Sequence, residues 1–263
     1  MDGDHSQQPR ARVALVTGAT RLRGIGAAIC RALAADGVDV AFSHWGAYDR
    51  AFPWAGAADE PDQLADELRA MGGRVAHFEE DLADPAAPER LLDRTEAALG
   101  PLTILVNNAA YSTSEDYAAL DAATLDAHYA VNLRAAALLA VGFARRFGAG
   151  QGGRIVNLTS GQSRGPMPDE LAYAATKGAI EAFTVSLAAG VAPRGITVNA
   201  VNPGPTDTGW IDPALAAELL PRFPFGRLGQ PEDAARLVAW LASDEAAWIT
   251  GQVIHSEGGV WRG

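Results

Sequence analysis

The stretch Arg12-Val13-Ala14-Leu15-Val16-Thr17-Gly18-Ala19-Thr20-Arg21-Leu22-Arg23-Gly24-Ile25-Gly26 decides how this chain folds. Its first five residues are a short, apolar, β-branched run, which predicts a strand buried on both faces. Glycines follow, and Ile25, Ile29, Ala32 and Leu33 then recur at helical spacing. A strand, a glycine loop and a helix N-terminus make a pyrophosphate site. Gly18, Gly24 and Gly26 let the backbone approach, and the free N–H groups and helix dipole around Ile25 meet the anion. Alone, such a loop reads equally well as a tight turn.

Outward from this unit the same alternation continues. Val38 to Phe42 reads as a second strand, followed by a long connection over 43–60 rich in Gly, Ala and Trp. Pro61 opens a helix with Leu64, Leu68 and Met71 on one face, and Gly72-Gly73 ends it. Further strands are expected at 74–78, 103–106, 154–158, 197–201 and 253–255, with helices at 88–99, 125–147, 171–189 and 231–241. No polar linker interrupts the series, so 11–263 is expected to be one domain. The predicted class is α/β: a doubly wound, mostly seven-stranded parallel sheet with helices on both faces. Its ligand site should lie beyond the C-terminal strand ends.

Composition sets the bounds. Of 263 residues 48% are hydrophobic, enough for a buried core, and the net charge of −11 disfavours nucleic acid and anionic membranes as partners. Cys30 is the sole cysteine, so no internal disulfide forms, which fits a reducing compartment. Residues 1–10 are polar and are expected to be a disordered tail without a signal peptide. No run reaches membrane-spanning length, and a cytoplasmic location is expected. The five histidines show no ligand spacing, so no metal site is expected.

The chemistry is carried further along. Tyr173 and Lys177 are four residues apart on a predicted helix and share one face, thirteen residues after Ser160. A fixed positive charge beside a phenol favours phenolate and is expected to pull the Tyr173 pKa below its usual value of about 10.

Together with the glycine loop these residues resemble the short-chain dehydrogenase/reductase family, over roughly Arg12 to Gly259. The family's other signposts stand in order: Asp81-Leu82, Asn107-Asn108-Ala109, Asn132, and Pro203-Gly204. The resemblance implies a Rossmann-type fold and hydride transfer between a nicotinamide cofactor and a carbonyl or secondary alcohol. In that reading Tyr173 donates the proton, Lys177 tunes it and bonds the nicotinamide ribose, Ser160 holds the carbonyl, and Asn132 holds a water in a proton relay. Asp81 and Leu82 would meet adenine, Asn108 and Ala109 would lie near the ribose, and Pro203, Thr206 and Thr208 near the carboxamide. Two departures stand out. Five residues, not the family's three, separate Gly18 from Gly24, and Ala110 replaces a usual glycine.

The coenzyme expected is NADP(H), with NAD(H) the alternative. The position that carries an acid in NAD enzymes of this fold falls at His44, after Ser43, and Asp49 lies too far into the loop. Arg21 and Arg23 in the extended loop are placed toward the same ribose. Residues 207–225 resemble the family's substrate lid, with Trp210, Phe223 and Phe225, and Tyr111 and Met167 are expected at the same mouth. The resemblance implies a small carbonyl compound or alcohol as substrate, with 3-oxoacyl thioesters as one class that it suggests. Surplus apolar surface on the helices at 125–147 and after Tyr173 implies a homo-oligomer, a tetramer first. Two other readings compete. One is a non-catalytic dinucleotide-binding regulator on the same fold. The other is a serine hydrolase using Ser163 of Gly161-Gln162-Ser163-Arg164-Gly165, against which stand Pro166 and Pro168, since a nucleophile elbow must lead into a helix.

Overall fold

In the computed structural model, residues 12–148 and 150–261 are described; the expected tail at 1–10 lies outside them. Seven parallel strands form one sheet in the order β3-β2-β1-β4-β5-β6-β7. They are β1 (Val13–Val16), β2 (Asp39–His44), β3 (Val75–Glu79), β4 (Ile104–Asn107), β5 (Gly153–Leu158), β6 (Ile196–Asn202) and β7 (Val253–His255). Strands β1, β4, β5 and β6 are buried along their whole length, which is why their sequences run apolar rather than alternate.

The helices split between the two faces. On one side α1 (Ile25–Ala35), α3 (Glu60–Ala70) and α8 (Pro231–Ala242) pack Ile29, Leu33, Leu64, Leu68, Val238 and Leu241 onto Val16, Val40, Val106 and Val156. On the other, α4 (Ala87–Leu99), α6 (Ala136–Arg146) and α7 (Leu171–Val191) pack Leu91, Leu92, Leu139, Phe143 and Ala188 onto Leu15, Leu105, Ile155 and Val198. The order in which strands are added reverses between β1 and β4, and the crevice above that point is the expected ligand site of such a sheet.

Three features differ from the sequence expectations. Strand β2 runs on to His44, which pairs with Glu79 of β3. The connection after it contains a short helix, α2 (Gly46–Asp49). The helix expected over 125–147 begins at Ala122, where Asp121 accepts a bond from the Thr124 amide at 2.8 Å. It runs as α5 (Ala122–His128), a π-helical turn (Tyr129–Ala135) and α6. That stretch is long and apolar enough to cross a membrane by length and composition, contrary to expectation. Leu139, Ala140 and Phe143 are nevertheless buried in the core, as in an ordinary layer helix.

Candidate active site

The C-terminal ends of β1, β4, β5 and β6 open on a cleft of about 1000 Å³. Gly18, Gly24, Ile25 and Gly26 line it beneath the start of α1. That helix has no side-chain cap and no acid in its first turn, so its N-terminal dipole and amides remain available to an anion. Gly18 has φ +74°, and a Cβ there would come within 2.6 Å of the Ala109 backbone. The close approach is held by bonds across the strand ends. Thr17 Oγ1 accepts from the amides of Asn108 and Ala109, each at 3.0 Å, and Asn108 Nδ2 donates to the carbonyls of Thr17 and Gly18 at 2.8 and 2.9 Å.

The lengthened glycine loop is pinned rather than free. Glu60 accepts from the Leu22 amide at 2.6 Å, and Arg31 donates to the Leu22 carbonyl at 2.8 Å. Arg21 lines the cleft but pairs with Asp49 at 3.1 Å and donates to the Thr208 carbonyl at 2.9 Å. Arg23 corrects the expectation: its side chain is 71% exposed, sits 3.5 Å from Asp207, and takes no part in lining the cleft. Asp49 corrects it in the other direction, because α2 carries it into the cleft, where burial raises its pKa.

Ser43 and His44 at the end of β2, and Asp81 and Leu82 after β3, line the same end. A His44 ring nitrogen lies 3.2 Å from one of His77, and burial followed by that neighbour lowers the His44 pKa. Asp81 also accepts from the Ala83 amide at 2.8 Å, so it shapes its own turn.

At the opposite end Ser160 follows β5, and Tyr173 lies in the first turn of α7; both line the cleft, and Ser160 acts on the phenol to lower its pKa. Lys177, one turn on, is 3% exposed and is the only lysine in the chain. Its Nζ donates to the Leu158 carbonyl at 2.8 Å and stands 5.4 Å from the Tyr173 ring centroid. Burial lowers the Lys177 pKa to about 8. Burial, and then the carboxylate of Glu170, push Tyr173 up to about 12, the opposite of the expected direction. Desolvation of the buried phenol outweighs the lysine charge that stands 5.4 Å from its ring centroid.

Asn132 lies in the π-helical turn, 2% exposed. It accepts from the Tyr111 amide at 2.7 Å and donates to the Tyr111 carbonyl at 2.9 Å and to Thr176 Oγ1 at 3.1 Å. It therefore clamps the loop after β4 onto α7, behind the cleft rather than in its wall. Pro203, Thr206 and Thr208 line the cleft after β6, with the Thr206 hydroxyl donating to the Gly204 carbonyl at 3.1 Å.

Of the aromatics in 207–225, only Trp210 reaches the cleft; Phe223 and Phe225 line a separate small pocket beside Arg227 and Asp233. Tyr111 and Met167 do line it. Ser163 sits in an exposed turn and donates to Glu181 at 3.3 Å, while the following helix starts only at Leu171, so the nucleophile-elbow geometry is not formed. Tyr48, Phe52, Trp54 and Glu170 were missed by the sequence reading, yet all four line the cleft. The aromatic density of 45–54 was the available signal. Among the described residues no cluster of His, Cys, Asp and Glu is arranged to hold a metal ion.

A glycine cradle at one end of a cleft and a Ser–Tyr–Lys set at the other define an oxidoreductase of the dinucleotide-binding class. The comparisons agree: the chain belongs to the short-chain dehydrogenase/reductase family and is an oxidoreductase acting on CH–OH and C=O groups. The family model that matches residues 18–261 is described as enoyl-(acyl carrier protein) reductase. An uncharacterized oxidoreductase, YjdA of Bacillus subtilis (strain 168), is 52% identical over 98% of this chain and 99% of its own. The 3-oxoacyl-[acyl-carrier-protein] reductase FabG of Staphylococcus aureus (strain Mu50) is 32% identical, over 94% of this chain and 97% of its own. Among solved structures, a short-chain dehydrogenase from Burkholderia cenocepacia J2315 in complex with NADP superposes with a TM-score of 0.84 at 37% identity, covering 94% of this chain and 97% of that one.

Proposed function

We propose that this chain is an NADP(H)-dependent reductase of ketone or 3-oxoacyl-type carbonyl groups, with Tyr173 as the proton donor. The observation that carries the reading is that Ser160 and Tyr173 line the cleft together at the end opposite the glycine cradle, with the Lys177 Nζ 5.4 Å from the Tyr173 ring centroid. NADPH, when bound, supplies the hydride. Gly18, Ile25 and Gly26 would take its pyrophosphate, Asp81 and Leu82 its adenine, and Ser43 and His44 the adjacent ribose, with Arg21 at the edge. Ser160 and Tyr173 hold the carbonyl oxygen between two hydroxyls. As the carbon gains hydride, the phenol proton passes to that oxygen, leaving a secondary alcohol and a phenolate that the nearby Lys177 charge stabilises.

Carbonyl reduction is favoured over reduction of a carbon–carbon double bond. The related divergent enoyl reductases place a lysine seven residues after the tyrosine; here that position is Ile180, fully buried in α7. The NADP(H) preference is supported by the absence of a carboxylate at His44 and by the NADP complex of the solved relative. Asp49 beside Arg21 is the one observation that favours NAD(H). Mixing the purified protein with a ketone and each reduced coenzyme tests the reading. NADPH should give the higher kcat/KM, and an NADH preference of tenfold or more would overturn the coenzyme assignment. Arg21→Ala should narrow the NADPH preference, whereas Arg23→Ala should leave it unchanged. We propose further that the chain works as a homotetramer in the cytoplasm.

A further inference from the structure

We infer that the connection between β2 and α3, through Tyr48 and Phe52, forms a wall of the substrate site that selects uncharged, planar aromatic carbonyl compounds over phosphate-bearing acyl thioesters. The inference rests on the carbonyl-reductase reading above. In the sheet order β2 and β4 flank β1, so a residue that leaves β2 and reaches the loop after β4 must cross the cleft. Tyr48 does so. Its hydroxyl accepts from the Ser112 amide at 3.1 Å and donates to the Ser112 carbonyl at 3.3 Å. Its ring centroid lies 5.5 Å from that of Tyr111 and 5.0 Å from that of Phe52. Tyr48 and Tyr173 line the same cleft, and Tyr111, which the Tyr48 ring meets, is bonded through Asn132 to Thr176 of α7, which puts this wall at the reacting end.

The rings are held in place. Arg21 pairs with Asp49 at 3.1 Å, and the Trp45 amide donates to Thr20 Oγ1 at 3.3 Å, so both ends of α2 are tied to the glycine loop. Met167 and Trp210 also line the cleft. Fixed aromatic faces of this kind favour a flat, polarisable ligand that can stack or meet them edge-on. Charge points the same way. Glu170 lines the cleft three residues before Tyr173 and brings a carboxyl group, not a cation, to the reacting end. Arg21 is the one guanidinium among the described residues lining the cleft, and it stands at the coenzyme end beside Asp49, not at the reacting end. A thioester of coenzyme A would bring phosphate groups to a substrate mouth with no guanidinium of its own among the described residues that line it. An aryl ketone brings none.

Steady-state NADPH oxidation tests this with four substrates: a bicyclic aryl ketone, a small aliphatic ketone, an acetoacetyl thioester of coenzyme A, and the same acyl group on a short phosphate-free thiol. The aryl ketone should exceed the coenzyme A thioester in kcat/KM by tenfold or more. Tyr48→Ala should lower the aryl-to-aliphatic ratio about tenfold through KM. Phe52→Ala should lower it less, and Tyr48→Phe should hold it within about threefold because the ring is kept. Melting temperatures within a few degrees of the parent's confirm that each variant is folded; an unfolded Tyr48→Ala leaves Phe52→Ala to decide. The inference is overturned if the coenzyme A thioester is the better substrate, or if neither alanine variant changes the ratio. NADPH consumption with no carbonyl at all would instead bring down the reductase reading itself.

Discussion

A phenol held at about 12 beside an ammonium held at about 8 stays protonated throughout the neutral range and serves as a donor, not a base. Tyr173→Phe keeps the ring and its packing but removes the proton, so turnover should fall by about 10²–10⁴ while coenzyme affinity changes little. A variant retaining a tenth of the parent rate would remove Tyr173 from this role. The sign of the pH dependence follows from Lys177. Its pKa is lowered, so it is charged below about 8 and neutral above. Reductive kcat should therefore be flat below that value and decline above it, because the phenolate formed in the reaction loses its counter-charge. Lys177→Met should lower the plateau and abolish the decline; an unchanged profile up to about pH 9.5 in the parent enzyme would contradict the assignment.

At the level of the element, the glycine loop gives a sharp test. Gly18 and Gly37 both have φ +74°, but only Gly18 has backbone within 2.6 Å of where a Cβ would stand; nothing lies within 4 Å at Gly37. Gly37→Ala should cost about 1–2 kcal/mol for the left-handed conformation alone, and Gly18→Ala a further ~1–3 kcal/mol for the clash. Urea unfolding of the two variants reads the difference, and equal losses would show that Ala109 can move aside. These glycines and the strands were legible in the sequence because apolar β-branched runs and glycine spacing are local signals. Tyr173, Lys177 and Ser160 were legible for the same reason. The π-helical turn at Asn132 was not, since one shifted hydrogen-bond register leaves no trace in apolar spacing. Helix α2 was not either. It buries no residue, and it is held by Tyr48–Ser112, partners 64 residues apart. The direction of the Tyr173 shift depended on burial against charge, and only the burial of both groups decides that contest.

For the whole molecule, the surface bears on assembly. Leu125, Tyr129 and Leu138 on the α5–α6 stretch and Val185 on α7 are each more than 40% exposed. Apolar side chains on neighbouring layer helices are the surplus that a second copy would cover, which supports the tetramer reading. Sedimentation at micromolar concentration should give a species near four times 27.4 kDa. A single species at the monomer mass would overturn that reading. Leu138→Glu together with Val185→Glu should shift the distribution toward smaller species, with the far-UV spectrum unchanged.

Because Lys177 is the only lysine among 263 residues, the site carries its own isotopic address. Feeding the expression culture with ¹⁵N-labelled lysine would place one labelled side chain in the entire protein, at the position behind Tyr173. Its Nζ resonance would need no assignment, and its titration would be a direct reading of the ammonium whose carbonyl partner is Leu158. Every other basic side chain is arginine or histidine and would be silent in that spectrum.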